Sequence, residues 1–135
     1  MGYLARLTEA LAGRPEALPD AIRREYPELQ GLRYRRGGLP LRIGGWALGR
    51  RTVAAITVGR TIFLAEVTRL EAELLLHEFR HVEQFAERRT FPLRYIWESL
   101  RRGYHANCYE ADARSYAARR VARTDRSSSH EDTVT

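Results

Sequence analysis

The chain has 135 residues, of which 44% are hydrophobic and 30% charged, and this composition excludes a fibrous or wholly disordered protein. Its single cysteine, Cys108, excludes an internal disulfide and a thiolate metal cluster, so any metal site must use histidine and carboxylate ligands. The 23 basic residues, all arginine, outnumber the 17 acidic ones. The excess of arginine is therefore consistent with a nucleic-acid partner. Arginines dispersed along a chain can also simply solvate a small protein.

The first 18 residues mix charged and apolar side chains and lack the uninterrupted apolar stretch of a signal peptide. The most apolar run, residues 53–64, contains Thr57, Gly59 and Arg60, and is shorter than the roughly 20 apolar residues of a membrane span. We therefore expect a cytoplasmic protein with no membrane partner. The oligomeric state cannot be read from the sequence.

The first half of the chain predicts short helices followed by strands. A helix is expected over 3–12, and Asp20 is expected to cap a second one that ends near Tyr26. Apolar residues then alternate around a Gly-Gly-Leu-Pro break, which predicts a hairpin over 32–46. Two further strands, at 52–57 and 61–65 with a Gly-Arg turn between them, complete a small antiparallel sheet.

From Thr68 onward the apolar spacing becomes helical. Thr68 and Glu71 form a capping-box pattern at the start of a long helix that continues toward Pro92, with Phe79, Val82 and Phe85 assigned to the core. Two more helices follow, over 92–102 and about 107–122. The first of these carries four apolar residues on one face, Leu93, Ile96, Trp97 and Leu100, and Trp97 is also assigned to the core.

These elements predict a single α+β domain over 1–123, in which a small antiparallel sheet packs against a long helix and the helices that follow it. Residues 124–135 are almost devoid of apolar side chains and are expected to form a disordered tail. Neither an internal repeat nor a linker divides the chain.

The segment with the most specific chemistry is His77-Glu78-Phe79-Arg80-His81, in which two histidines stand four residues apart on the long helix. This spacing places both imidazoles on one face about 6 Å apart, where they can share a zinc ion, and Glu78 can lean toward a water bound to that ion. The alternative is a pair of surface or core histidines hydrogen-bonded to carboxylates. The apolar residues just before His77 favour the metal site, since catalytic zinc requires a dry wall.

Zinc needs a third protein ligand, and the downstream candidates are Glu110, Asp112 and His105. Glu83 and Glu87 are rotated away from His77 and lie further along the same helix, so neither closes a tetrahedron easily. Glu110 is favoured because small residues beside it permit close helix approach. A carboxylate in a first helical turn also stabilises the helix dipole, and that role alone would explain an acid there.

Taken together, His77-Glu78-x-x-His81 and the later Gly103-Tyr104-x-x-Asn107-x-Tyr109-Glu110-x-x-Ala113 resemble the small gluzincin metallopeptidases, a thermolysin-like class reduced to its catalytic core. The resemblance covers residues 52–118. It implies a zincin-like core in which His77, His81 and Glu110 bind Zn²⁺ and Glu78 is the general base. It also implies that a strand before the active-site helix, here 61–64, receives the substrate backbone at its edge. The pattern of this strand fits a plain core strand equally well.

The sequence departs from that class in two respects. Larger members carry an aspartate four residues after the ligand glutamate, where this chain has Arg114, so that support for the first histidine is assigned to Asp112. The downstream domain that supplies an oxyanion-stabilising His or Tyr is also missing. Tyr104 is assigned that role, and His105 and Tyr109 are the other local candidates.

The function expected from the sequence is zinc-dependent hydrolysis of peptide bonds in a peptide or protein substrate, with Glu78 activating the zinc-bound water. The alternative is a structural or vestigial zinc site on a protein whose arginine-rich surface binds nucleic acid or an acidic protein. Cleavage preference cannot be derived from the pattern.

Overall fold

The computed structural model describes residues 2–47, 53–103 and 105–131. Helices account for most of these residues, and a small sheet accompanies them, so the α+β class is confirmed. The helices within these ranges are α1 (Gly2–Ala12), α2 (Asp20–Glu25), α3 (Leu39–Ala47), α4 (Ala72–Glu87), α5 (Phe91–Arg102) and α6 (Cys108–Glu131). The strands are β1 (Arg14–Glu16), β2 (Arg33–Arg36), β3 (Ala55–Val58) and β4 (Thr61–Leu64).

The sheet has the strand order β1-β2-β4-β3 and is mixed. The pairs β1–β2 and β3–β4 are antiparallel, whereas β2 and β4 run parallel with Tyr34 opposite Ile62. The predicted wholly antiparallel sheet is therefore wrong at its central pair. The reason is that the connection through α3 brings β3 into the sheet running opposite to β2, and the turn at Gly59 then reverses the chain, so that β4 runs parallel to β2.

The predicted hairpin over 32–46 is replaced by β2 and α3. Gly37 and Gly38 turn the chain with φ values of 75° and 106°, and a helix then begins at Leu39. Pro40 lies in its first turn, where the missing N–H costs no hydrogen bond. The alternating apolar residues of this segment were thus a misleading signal, because a proline that ends a strand can also begin a helix.

The antiparallel pair β3–β4 closes at Gly59, whose φ of 61° suits a tight turn. Strand β4 lies between β2 and β3, and its Ile62 and Leu64 are fully buried. The assignment of 61–64 as the substrate-receiving edge is therefore wrong, since β4 has neighbours on both sides. The edge strand on this side of the sheet is β3.

Helix α4 packs along α6 and against the sheet, and this layer contains the core. Leu75 and Leu76 are fully buried on α4, and the small Ala113 and Ala117 are buried on α6, which lets the two helices approach closely. The predicted capping box does not form. Glu71 is the N-cap residue without a side-chain hydrogen bond, and the Thr68 hydroxyl instead donates to the carbonyl of Ala54 at 2.7 Å.

The last helix is longer than predicted. Helix α6 continues to Glu131, so residues 124–131 are helical rather than a disordered tail, and 132–135 lie outside the described residues. Serine hydroxyls in this region donate to carbonyls one turn back, as Ser127 does to Arg123 at 3.1 Å. In the described part of the chain, no helix combines the length and apolar character needed to cross a membrane.

Candidate metal centre

The face of α4 that packs inward is not wholly apolar. Leu76 and Val82 are buried there as expected, but so are Glu78, His81 and Gln84, each less than 10% exposed. Burying a polar side chain is costly unless it finds a partner, and burying a charge more so. The partners of these three residues therefore define the site.

The cluster at the centre of the site joins α4 to the first turn of α6. Nε2 of His77 lies 3.0 Å from Oε2 of Glu110, and Nε2 of His81 lies 3.1 Å from Oε1 of the same carboxylate. One ligand atom from each of the three residues lies within 4.8 Å of the other two. His77, His81 and Glu110 could therefore hold a metal ion.

The donor set suits a divalent cation. Two imidazole nitrogens and a carboxylate form the combination that zinc takes in catalytic sites with an open fourth position. Oε2 of Glu110 is buried and receives no well-directed hydrogen bond from the described residues, although Nε2 of His77 is close. A cation shared with the two histidines would satisfy a buried carboxylate oxygen of this kind.

The electrostatics of the cluster also favour positive charge between its members. Burial would raise the pKa of Glu110, but contacts with His77, His81 and Tyr95 outweigh burial and hold the pKa well below its usual range. Burial would lower the pKa of His81, but the Glu110 and Glu78 carboxylates outweigh burial and raise the pKa. The carboxylate is therefore ionised, and a proton or a metal cation beside it is stabilised.

Further contacts fix the orientation of the ligands. The hydroxyl of Tyr95, on α5, donates to Oε1 of Glu110 at 2.5 Å. Nδ1 of His81 lies 2.7 Å from the amide oxygen of Gln84, which can only accept, so Nδ1 carries a proton and Nε2, which faces Glu110, is the atom that could bind a metal. The Gln84 amide in turn donates to Asp112 at 3.0 Å.

Glu78 lies beside the cluster without joining it. Its Oε2 accepts a hydrogen bond of 2.7 Å from the hydroxyl of Thr57, on the edge strand β3. Glu78 also borders a cavity of about 500 Å³, together with His81, Glu110 and Tyr95. The remaining walls of this cavity are mostly apolar and include Ile43, Ile56, Val58, Phe85, Phe91 and Ile96.

The other carboxylates and the histidine considered as ligands lie outside the cluster. Glu83, Glu87 and Asp112 all pair with Arg80, at 3.0, 2.8 and 2.6 Å. His105 is exposed. Glu83 and Glu87 were not expected to be ligands, and in the structure both carboxylates form ion pairs with Arg80.

Two assignments for supporting residues change. Asp112 was expected to support the first histidine, but it contacts Gln84 and so acts on His81, the second. Tyr104, expected to stabilise the oxyanion, lies outside the described residues. Of the other tyrosines, Tyr95 lies at the cavity wall.

Three residues of the site were missed by sequence reasoning: Thr57, Gln84 and Tyr95. Gln84 could have been found, because it follows His81 by three residues and so faces the same side of the helix. The sequence carries no local signal for Thr57 or Tyr95, which reach the site through the packing of β3 and α5.

Comparison with known proteins finds no matching family model, no similar curated protein and no similar solved structure. The expected resemblance to gluzincins therefore rests on the motif residues of the sequence alone.

Proposed function

We propose that this chain is a zinc-dependent peptidase of the gluzincin type, with a zincin-like core. His77, His81 and Glu110 hold the zinc ion, and Glu78 is the general base. The proposal is supported above all by the convergence of three ligand atoms within 4.8 Å, next to a carboxylate that borders a large cavity. A buried base beside an open cavity is the arrangement that hydrolysis requires.

When bound, zinc supplies Lewis-acid chemistry, since it acidifies a water molecule and polarises a carbonyl group. Glu78 would accept the proton that this water releases as the water oxygen adds to the carbonyl carbon of the peptide bond. Thr57 occupies Oε2 of the carboxylate, and among the described residues Oε1 receives no hydrogen bond, so that Oε1 is the atom that takes the proton. Glu78 then transfers the proton to the leaving amine of the cleaved peptide bond.

Strand β3 is the structural candidate for receiving the substrate backbone. It lies at the edge of the sheet, and all four of its residues border the cavity that contains Glu78. An extended peptide can add to such an edge through main-chain hydrogen bonds. The Thr57 hydroxyl would then keep the general base aligned with the strand that holds the substrate.

Two variants and one control test the assignment of roles. We expect the purified protein to contain one zinc ion per chain by elemental analysis and to cleave peptides from a mixed library. His81→Ala should lose the metal. Glu78→Gln should keep the metal and lose turnover by about 10² to 10⁴-fold, the usual contribution of a general base. Glu83→Gln, on the same helix but paired with Arg80 outside the cluster, should change neither.

Hydrolysis that persists in Glu78→Gln would refute the role of Glu78. A wild-type protein that neither contains nor takes up zinc would refute the metal site itself. Zinc bound stoichiometrically without hydrolysis of any library peptide would instead favour the alternative of a structural zinc site.

A further inference from the structure

Helix α5 presents its apolar stripe to solvent. Leu93, Ile96, Trp97 and Leu100 follow one another at the i, i+3, i+4, i+7 spacing of a single face, and they are 52 to 78% exposed. The buried anchor of the helix is Phe91, on a different side. A continuous row of large exposed apolar residues is uncommon on a soluble domain and marks a surface that something covers.

One flank of this stripe is basic. Arg94 and Arg101 are both exposed and lie two helical turns apart on the same side, with Trp97 between them. Neither arginine forms an ion pair with any described residue. Arg88 and Arg89, just before the helix, are exposed as well.

The acidic content of the same region is small. Glu98 is the one acidic residue of α5, its side chain is 17% exposed, and it lies 3.5 Å from Arg102. Five arginines against one glutamate give residues 88–102 a net charge of +4. The exposed apolar stripe is therefore bordered by positive charge that has no counterpart within the described chain.

We propose that α5 is an interfacial helix that docks this protein on the surface of an anionic lipid bilayer. The apolar stripe would enter the boundary between headgroups and acyl chains, and Arg94 and Arg101 would contact the anionic headgroups. A tryptophan between the apolar and basic zones is in the position that indole rings prefer at such an interface. A helix lying flat on a bilayer need not be long enough to cross it.

Other occupants match these observations less well. Nucleic acid would pair with the arginines but would leave the apolar stripe without a partner. A second copy of the chain would cover the stripe but would bring an equally positive segment against it. The inference is independent of the metal centre. Because Pro92 and Ile96 also border the large cavity, docking would place the cavity beside the membrane surface.

Vesicle binding tests this inference directly. We expect the protein to co-sediment with phosphatidylcholine–phosphatidylglycerol vesicles at low salt, and much less with phosphatidylcholine alone or at high salt. In a Trp46→Phe background, the emission of Trp97 should shift to shorter wavelength on binding and be quenched by brominated lipid. Leu93→Asp/Leu100→Asp should lower the partition coefficient by more than about tenfold.

A second pair of variants separates charge from apolar insertion. Arg94→Glu/Arg101→Glu should also weaken binding to anionic vesicles by more than about tenfold. The matched control is Val67→Asp, at an apolar residue that is 92% exposed and lies between β4 and α4, and it should keep wild-type binding. All these residues are exposed, so an unchanged circular dichroism spectrum and melting temperature should accompany each variant.

Failure of the wild-type protein to bind anionic vesicles at low salt would overturn the inference, as would equal loss of binding in the Val67→Asp control. A concentration-dependent dimer in light scattering that Leu93→Asp/Leu100→Asp abolishes would assign the stripe to a second copy. Salt-dependent DNA binding lost in the same variant would assign it to nucleic acid. Either result would overturn the membrane assignment.

Discussion

Helices α4 and α5 follow one another in the chain, carry the same kind of apolar periodicity and end in opposite environments. On α4 the periodic residues, such as Leu75, are buried against the sheet and α6. On α5 they face solvent, and Leu100 is 78% exposed. The comparison shows that periodicity predicts that a helix has an apolar face, but not what covers that face.

The largest expected difference between the two helices is in the stability lost when a leucine of the apolar face is replaced by alanine. Leu75→Ala removes a fully buried side chain and should lower the free energy of unfolding by about 2 to 5 kcal/mol, because a cavity remains. Leu100→Ala should change it by less than about 0.5 kcal/mol. Urea denaturation in chelator measures both. Because the residue change is identical, helix propensity cancels, and an equal cost would mean that the α5 stripe is covered within the chain.

A smaller effect is expected where α5 meets the metal centre. Tyr95→Phe removes the hydroxyl that donates to Glu110 and should lower the free energy of unfolding by about 1 to 3 kcal/mol, since a buried carboxylate loses a donor. Denaturation of the metal-free protein measures this. Tyr3→Phe, at an exposed position of α1, is the matched control and should have no effect. Equal stability of Tyr95→Phe and wild type would show that the hydroxyl does not hold the carboxylate.

The smallest effect on stability is expected for the ion pair between Glu16 and Arg36. This pair joins β1 to β2 and lies on neither helix, so it provides a baseline for the comparison. Two hydrogen bonds from Arg36, each of 3.2 Å, together with the arginine charge, hold the pKa of Glu16 below its ordinary value of 4.5. This stabilisation is fully present above about pH 4.5 and is lost as the pH falls through the lower folded-state pKa. Glu16→Gln should therefore cost about 0.5 to 1 kcal/mol at neutral pH.

Thermal unfolding of wild type and Glu16→Gln across the acid range measures that difference. The two melting temperatures should converge at low pH, where the wild-type carboxyl is protonated as well. A difference that persists undiminished in acid would show that the pair stabilises the fold through packing rather than through charge.

The sequence predicted best those features that depend on residues close to one another in the sequence. Helix α4 and the pair β3–β4 lie close to their predicted positions, because helical spacing and a glycine turn are local signals. Helix α3 was missed because Pro40 lies in its first turn, where proline is as acceptable as it is at a strand end. The parallel pairing of β2 and β4 was missed because it depends on the crossover between them.

The same division applies to the metal centre. His77 and His81 share a helix, so their spacing places them side by side without knowledge of the fold. Glu110 joins them only when α6 packs on α4, and the sequence argument for it depended on the small residues beside it and on the family resemblance. Tyr95 could not be predicted, because its contact with Glu110 spans two helices and the turn between them.

The hydrogen bond between Thr57 and Glu78 ties strand pairing to the chemistry of the site. Side chains alternate along β3, so a slip of one residue would exchange Thr57 for Ile56 or Val58, neither of which can donate. The carboxylate would then be buried without that donor. An insertion or deletion in the turn at Gly59 should therefore impair the site even where the strands can pair again in a new register. Natural sequence variation should accordingly leave the length of that turn unchanged.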